Sequence, residues 1–244
     1  MKRIIERAFS YTSTELLFML ATSFVSGILI SFRKWGGDSF DINLGIENLV
    51  ISVIFSYIAL FILVSGQKFY ASKKGFTHEY RINHYGLVIG LFLAVFLDGI
   101  IYFLAPGYVL FIQQDKPRVG KWRFRPYFHE YGYAVQHGLY SLLIAAGIFA
   151  AIPHDLAREL ARVCLLFAVF SVLPFPLWSG MQLFIGSIYQ YAFVTSFVVG
   201  FSLILMFVSF WWALLFGLVL GTIAFFLGWR HAEKKGGMGG LFYD

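Results

Sequence analysis

His129-Glu130-Tyr131-Gly132-Tyr133 stops one residue short of H-E-x-x-H. That motif sets two histidines one helical turn apart on a zinc ion, with the glutamate as general base. Here Tyr133 stands in the place of the second histidine. His137 follows His129 by eight residues, so on a helix the two share a side only loosely. Either His129, Glu130 and His137 form a displaced metal site, or they are interfacial groups facing water and headgroups; the second is the expectation. His78, Glu79 and His84 lie near the same face. Asp98 is the one carboxylate within an apolar stretch. Burying its charge at membrane depth is costly, so it marks either an ion relay or a turn that it helps to satisfy. No other span offers a relay partner, since Glu15 and Glu47 sit at span ends, and a turn at Asp98-Gly99 is expected.

These groups sit in a chain of 244 residues that is 59% hydrophobic, 20% aromatic and 13% charged. Soluble domains carry about twice that share of charge. The chain reads as one integral membrane domain over 1–244, with the lipid bilayer as its first partner. The lone Cys164 excludes an intrachain disulfide. The net charge of +6 marks loops at one membrane face rather than a nucleic-acid partner. Basic-aromatic "KWRFRPYF", Lys121 to Phe128, fits anionic headgroups for the same reason.

Spans are expected near 15–32, 47–67, 132–152, 160–174, 188–208 and 210–229, each able to cross a hydrocarbon core of about 30 Å. Thr12-Ser13-Thr14-Glu15 reads as a capping box opening the first. The stretch 85–112 is ambiguous. If it crosses once, Lys and Arg divide almost evenly between the two faces. If it enters and returns, 15 of them share one face and only Arg33, Lys34, Arg158 and Arg162 occupy the other. The positive-inside rule selects the second arrangement. The expected fold is therefore an all-α polytopic protein with six spans, a re-entrant element near 85–112 packed inside the bundle, and both termini cytoplasmic. The Gly-rich tail over 230–244 is expected to be flexible.

Two segments carry a family likeness. "FSVLPFPLWSG", Phe170 to Gly180, resembles "NLLPFPPLDG" of the site-2 protease family of intramembrane zinc metalloproteases, and "APGYVLFI", Ala105 to Ile112, resembles "APGAVYI" of its archaeal members. "LVSGQKFYASKKGFTHEYR", Leu63 to Arg81, aligns without a gap to an archaeal "HELAHKFVAQRYGYWAEFR", matching at Lys68, Phe69, Ala71, Gly75, Glu79 and Arg81. The likeness spans about 47–185, leaving 188–229 as an extra helical pair. It implies that the zinc histidines fall on Leu63 and Gln67, the catalytic glutamate on Val64 and the third ligand, an aspartate, on Ser179. Leu173, Pro174, Phe175, Pro176 and Gly180 form the turn beside that site. The His129 stretch then aligns with a run that has no catalytic role.

A catalytic zinc site needs three protein ligands and an open position for water. Leucine cannot bind zinc, valine cannot take a proton, and glutamine and serine are poor neutral ligands. The departures fall on the four positions of the chemistry and spare their neighbours. The resemblance thus implies a pseudoprotease without a cofactor, binding another membrane protein or a transmembrane segment. An active metalloprotease with a relocated site, or a structural or transport subunit of a larger complex, are the alternatives. The topology predicts that reporters fused after Lys121 and after His154 fall on opposite sides of the membrane; the same side for both would refute it.

Overall fold

The computed structural model describes residues 6, 8–36, 40–100, 102–113 and 128–234. Among the described residues the chain is helical apart from one two-stranded sheet. Its elements are α1 (Ser13–Ser31), α2 (Ile42–Lys74), β1 (Phe76–Arg81), α3 (His84–Phe96), β2 (Tyr108–Gln113), α4 (Phe128–Ala151), α5 (Asp155–Ser171), α6 (Ser179–Gly186), α7 (Ile188–Leu205) and α8 (Phe210–Lys234). Among the described residues five helices are long and apolar enough to cross a membrane, namely α1, α2, α4, α7 and α8, which makes this a multi-pass membrane protein.

The expected sixth span is α5. It starts in charged sequence, with Asp155, Arg158, Glu159 and Arg162 in its first half, and stops at Ser171 ahead of Leu173-Pro174. At 17 residues it is only about 26 Å long. Leu160, Val163, Cys164, Phe167 and Ala168 turn its apolar stripe into the protein core. The tail also differs from expectation: α8 continues through Lys234, so residues 230–234 are helical. The remainder of the tail and residues 121–127 of the basic-aromatic stretch lie outside the described residues.

Segment 85–112 goes out and comes back, but at the edge of the bundle and not packed inside it as expected. Tyr85, Val88, Phe92, Val95 and Phe96 are exposed, because only the Gly86, Gly90 and Ala94 side of α3 faces protein. α3 ends in a turn where Asp98 and Gly99 both take positive φ, 50° and 64°. The return limb is extended and closely packed on α3: a Cβ on Gly90 would lie 2.5 Å from the Phe103 carbonyl oxygen. It ends in β2, which pairs antiparallel with β1, Arg81 opposite Tyr108 and Phe76 opposite Gln113. The "YVLFI" end of the stretch is therefore a strand, a departure from the all-α expectation. Alternating burial explains it: Val109 and Phe111 face the core while Leu110 and Ile112 point away.

One buried ion pair joins the first two helices to this sheet. Lys68 Nζ lies 2.8 Å from Glu15 Oε1, with the two side chains 0% and 2% exposed. Glu15 also accepts the Tyr80 backbone N–H (2.7 Å) and, at Oε2, the Thr12 N–H (2.9 Å), the return half of the expected capping box. Lys68 donates further to the Ser10 carbonyl (3.2 Å) and lies 3.9 Å from the Tyr11 ring centroid. Tyr80 is fully buried; its hydroxyl donates to the Pro106 carbonyl (2.9 Å) and lies 3.0 Å from the Thr22 hydroxyl. Gly107 sits against that ring at φ 73°, and a Cβ there would come within 2.6 Å of the phenol oxygen. Lys68 is thus interior, not the loop charge that the topology argument counted.

Removing one member of a buried pair leaves an uncompensated charge, at a cost of about 3–5 kcal/mol. Glu15→Gln is expected to lower the unfolding midpoint in detergent sharply, with Glu15→Gln/Lys68→Met recovering part of the loss. A single variant as stable as the parent would refute the role given to this pair.

Candidate functional site

Leu63, Val64 and Gln67 occupy one buried face of α2, and Ser179 opens α6, also buried. The fold brings the last two together across 112 residues of sequence: Gln67 Nε2 donates to Ser179 Oγ at 3.4 Å. Gly138 on α4 completes the crossing. A Cβ there would lie 2.5 Å from Gln67 Cγ and 2.6 Å from the Leu63 carbonyl oxygen, so only glycine lets α4 approach so near. Gln67 and Ser179 therefore meet beside α4, with Leu63 and Val64 on the same buried face of α2 as Gln67.

That region is apolar and neutral. Gln67 Oε1 is buried and has no partner among the described residues. Ser179 Oγ has the Gln67 carboxamide beside it, and a carboxamide cannot accept the proton that an attacking serine must lose. Gln182 Nε2 donates to the Val109 carbonyl (2.9 Å), tying α6 to β2.

The turn over 173–178 stands beside this region. Pro174, Phe175 and Pro176 are exposed, Leu173 is half-buried, and Trp178 is buried against Leu87 and Ala105. Phe103 of the return limb packs on Trp178 and Phe175, with ring centroids 5.5 and 6.1 Å apart. Leu177 holds φ 63° while 46% exposed. For a residue with a branched side chain that backbone is strained by about 1–2 kcal/mol. Asn83 Nδ2 donates to the Leu177 carbonyl (3.4 Å) and helps to hold it. Gly180 lies directly under the Val172 and Leu173 carbonyls, leaving no room for a side chain.

The histidine stretch does other work. Glu130 accepts from the Tyr70 hydroxyl (2.8 Å) and pairs with Lys74 (3.1 Å), clamping α4 to the end of α2. His137 stacks on Tyr70 with centroids 4.4 Å apart, whereas His129 lines a cleft toward α7 and α8. Among the described residues no three His, Cys, Asp or Glu side chains gather as a metal site would require. Asp98 is exposed at the tip of the out-and-back element, where Gly99 packs on Phe32 and Arg33.

Sequence reasoning missed one pair. Ser72 Oγ and His78 Nε2 are 2.8 Å apart across the α2–β1 turn. A catalytic histidine is oriented by a third group on its other nitrogen, but His78 Nδ1 is buried without a partner among the described residues. Six-residue spacing across a glycine-closed helix end was the available signal. Comparison with protein-family models, with curated proteins and with solved structures gives no match.

Burial, reinforced by the nearby Lys68 ammonium, holds the His78 imidazole below its ordinary range. The unfolded chain therefore binds the proton at higher pH than the fold does, beginning near about 6.5. Stability is fully present above that value and is lost as pH falls toward the folded value. Unfolding midpoints are expected to drop as the pH falls below about 6.5, and the slope to flatten in His78→Gln. An unchanged slope in that variant would assign the dependence elsewhere.

Proposed function

We propose that this chain is a catalytically inactive relative of the site-2 proteases, a membrane protein that holds a membrane partner without cleaving it. The observation that carries the reading is the meeting of Gln67 with Ser179, with Leu63 and Val64 on the same buried face of α2. Residues far apart in sequence converge at the positions the likeness ties to zinc and base, and none offers a strong ligand or a general base. The out-and-back element beside the turn over 173–178 adds support, because the likeness includes both segments.

The partner is a transmembrane or extended segment of another membrane protein, received at the exposed turn. Leu177 marks the place: backbone strain is retained where surrounding structure over-determines it, as at ligand clamps. The basic end of the bundle, bearing Lys73, Lys74 and Arg81 among the described residues, faces the cytoplasm in this reading, and the end with Arg33, Lys34, Arg158 and Arg162 faces away.

A photoreactive side chain at Leu177 is expected to crosslink a discrete membrane protein in native membranes, while one at Leu218, on the lipid-facing side of α8, gives only diffuse lipid adducts. Purified protein is expected to hold zinc far below one ion per chain. Leu177→Gly is expected to raise stability by no more than about 1 kcal/mol, since glycine takes positive φ without strain but loses more freedom on folding. Stoichiometric zinc, or no difference between the two crosslinking positions, would overturn the proposal.

A further inference from the structure

Lysine and arginine are sparse at the end of the bundle where α1 stops and α5 starts, and two of them there have evident tasks. Lys34 pairs with Glu159 of α5 at 2.8 Å, and the Arg33 stem packs on Gly99. Arg158 and Arg162 have none so clear. Both are exposed on α5, and a spacing of four places them on one face of it. Arg158 reaches only Asp155, at 3.5 Å, and that carboxylate is 99% exposed. A pair so open to water contributes little. Arg162 has no ion partner among the described residues.

These two arginines line a small cavity of about 190 Å³. Ala150 at the end of α4, Leu165 of α5 and the turn from Leu205 to Val208 supply other walls, and among the described residues no carboxylate lines it. The turn offers little to neutralise the arginines. Its Ile204 carbonyl already accepts the Phe207 and Val208 N–H groups, at 3.1 and 2.8 Å. A helix C-terminus such as that of α7 carries roughly half a negative charge, less than Arg162 alone brings. Each guanidinium also holds its N–H donors in a fixed fork and accepts nothing. Positive charge and donors at this cavity thus exceed what the protein sets against them.

Position and surroundings narrow the occupant. The spanning helices α4 and α7 end beside the cavity and α8 begins just after the turn, which sets it at the depth of lipid headgroups. Beside the arginines the turn shows apolar surface: Phe207 is 85% exposed and Val208 53%. Unmatched guanidiniums next to exposed apolar side chains suit an amphiphile with an acidic head. Their forks match phosphate oxygens two bonds at a time, a match that neutral headgroups lack. We propose that Arg158 and Arg162 together bind a phosphate group, carried by a phospholipid headgroup whose apolar part rests on Phe207. The site stands about 20 Å along α5 from the turn over 173–178, so it serves apart from the holding of a protein partner.

Native mass spectrometry of the full chain, released from neutral-detergent micelles doped with dioleoyl phosphatidylglycerol, tests this. The mean number of retained lipids is expected to fall by about one per chain in Arg158→Gln/Arg162→Gln, and by part of that in each single variant. The single variants also serve if the double variant folds poorly. Arg33→Gln removes a charge at the same end but outside the cavity and should leave the number unchanged. Dioleoylglycerol, which has the same chains and no phosphate, should be retained equally by parent and double variant. Excess inorganic phosphate should leave the lipid in place; displacement by it would overturn the assignment to a lipid. Equal lipid numbers in the parent and all the α5 variants, or an equal loss in Arg33→Gln, would overturn the site itself, whatever the crosslinks at Leu177 show.

Discussion

An ammonium and a carboxylate sealed from solvent hold together the N-terminal segment, α1, α2 and the sheet. Lys68 and Glu15 gain from pairing only if their remaining hydrogen-bond capacity is also met, because removing two charges from water can cost more than their attraction returns. Here that capacity is met. Glu15 collects donors from Lys68, Thr12 and Tyr80, while Lys68 reaches Ser10 and the face of Tyr11. Burial pushes the Tyr11 phenol up to about 12, so that ring stays neutral beside the ammonium at any ordinary pH. The directional demands of these groups fix the axial register of α1 against α2, which apolar contact alone would leave loose.

From that node the fold propagates outward. The Tyr80 backbone bond to Glu15 places β1, and pairing with β1 places β2 and therefore the return limb. Gln182 hangs α6 from β2, and α6 delivers Ser179 to Gln67. The crossing of α2, α4 and α6 is thus set by a chain of polar contacts that starts some distance away. Gly138 contributes the opposite kind of constraint, an omitted side chain that lets two helices touch. The atoms nearest to that missing side chain are those of the Gln67 side chain and the Leu63 carbonyl.

Much of the fold was legible because a bilayer enforces long apolar segments, and α1, α2, α4, α7 and α8 show such segments plainly. The turn at Asp98-Gly99 was legible for a related reason: an acidic residue followed by glycine cannot continue an apolar helix cheaply. The meeting of Gln67 with Ser179 was not legible from the residues themselves, since no periodicity links positions 112 residues apart. The interior place of Lys68 was hidden. Its neighbours Lys73 and Lys74 are exposed, and a lysine near a span end usually extends toward headgroups. Only the contact with Glu15, made in three dimensions, inverts that expectation. The strand at Tyr108–Gln113 was hidden because a short apolar run reads equally as strand or buried helix. α5 is less plain as a span than the other five because its first half is charged, while its second half packs on protein.

The separation of Glu15 from Lys68 also has a bearing on biosynthesis. The two are 53 residues apart, so at ordinary ribosomal speeds the carboxylate is made roughly 3–10 s before the ammonium that will neutralise it. The first span is complete before Lys68 is made. Glu15 sits in its first turn, where interfacial water can solvate the charge until Lys68 arrives. The same carboxylate two turns deeper would have to enter lipid unpaired. Its position at the helix end allows insertion and later assembly to occur as separate events.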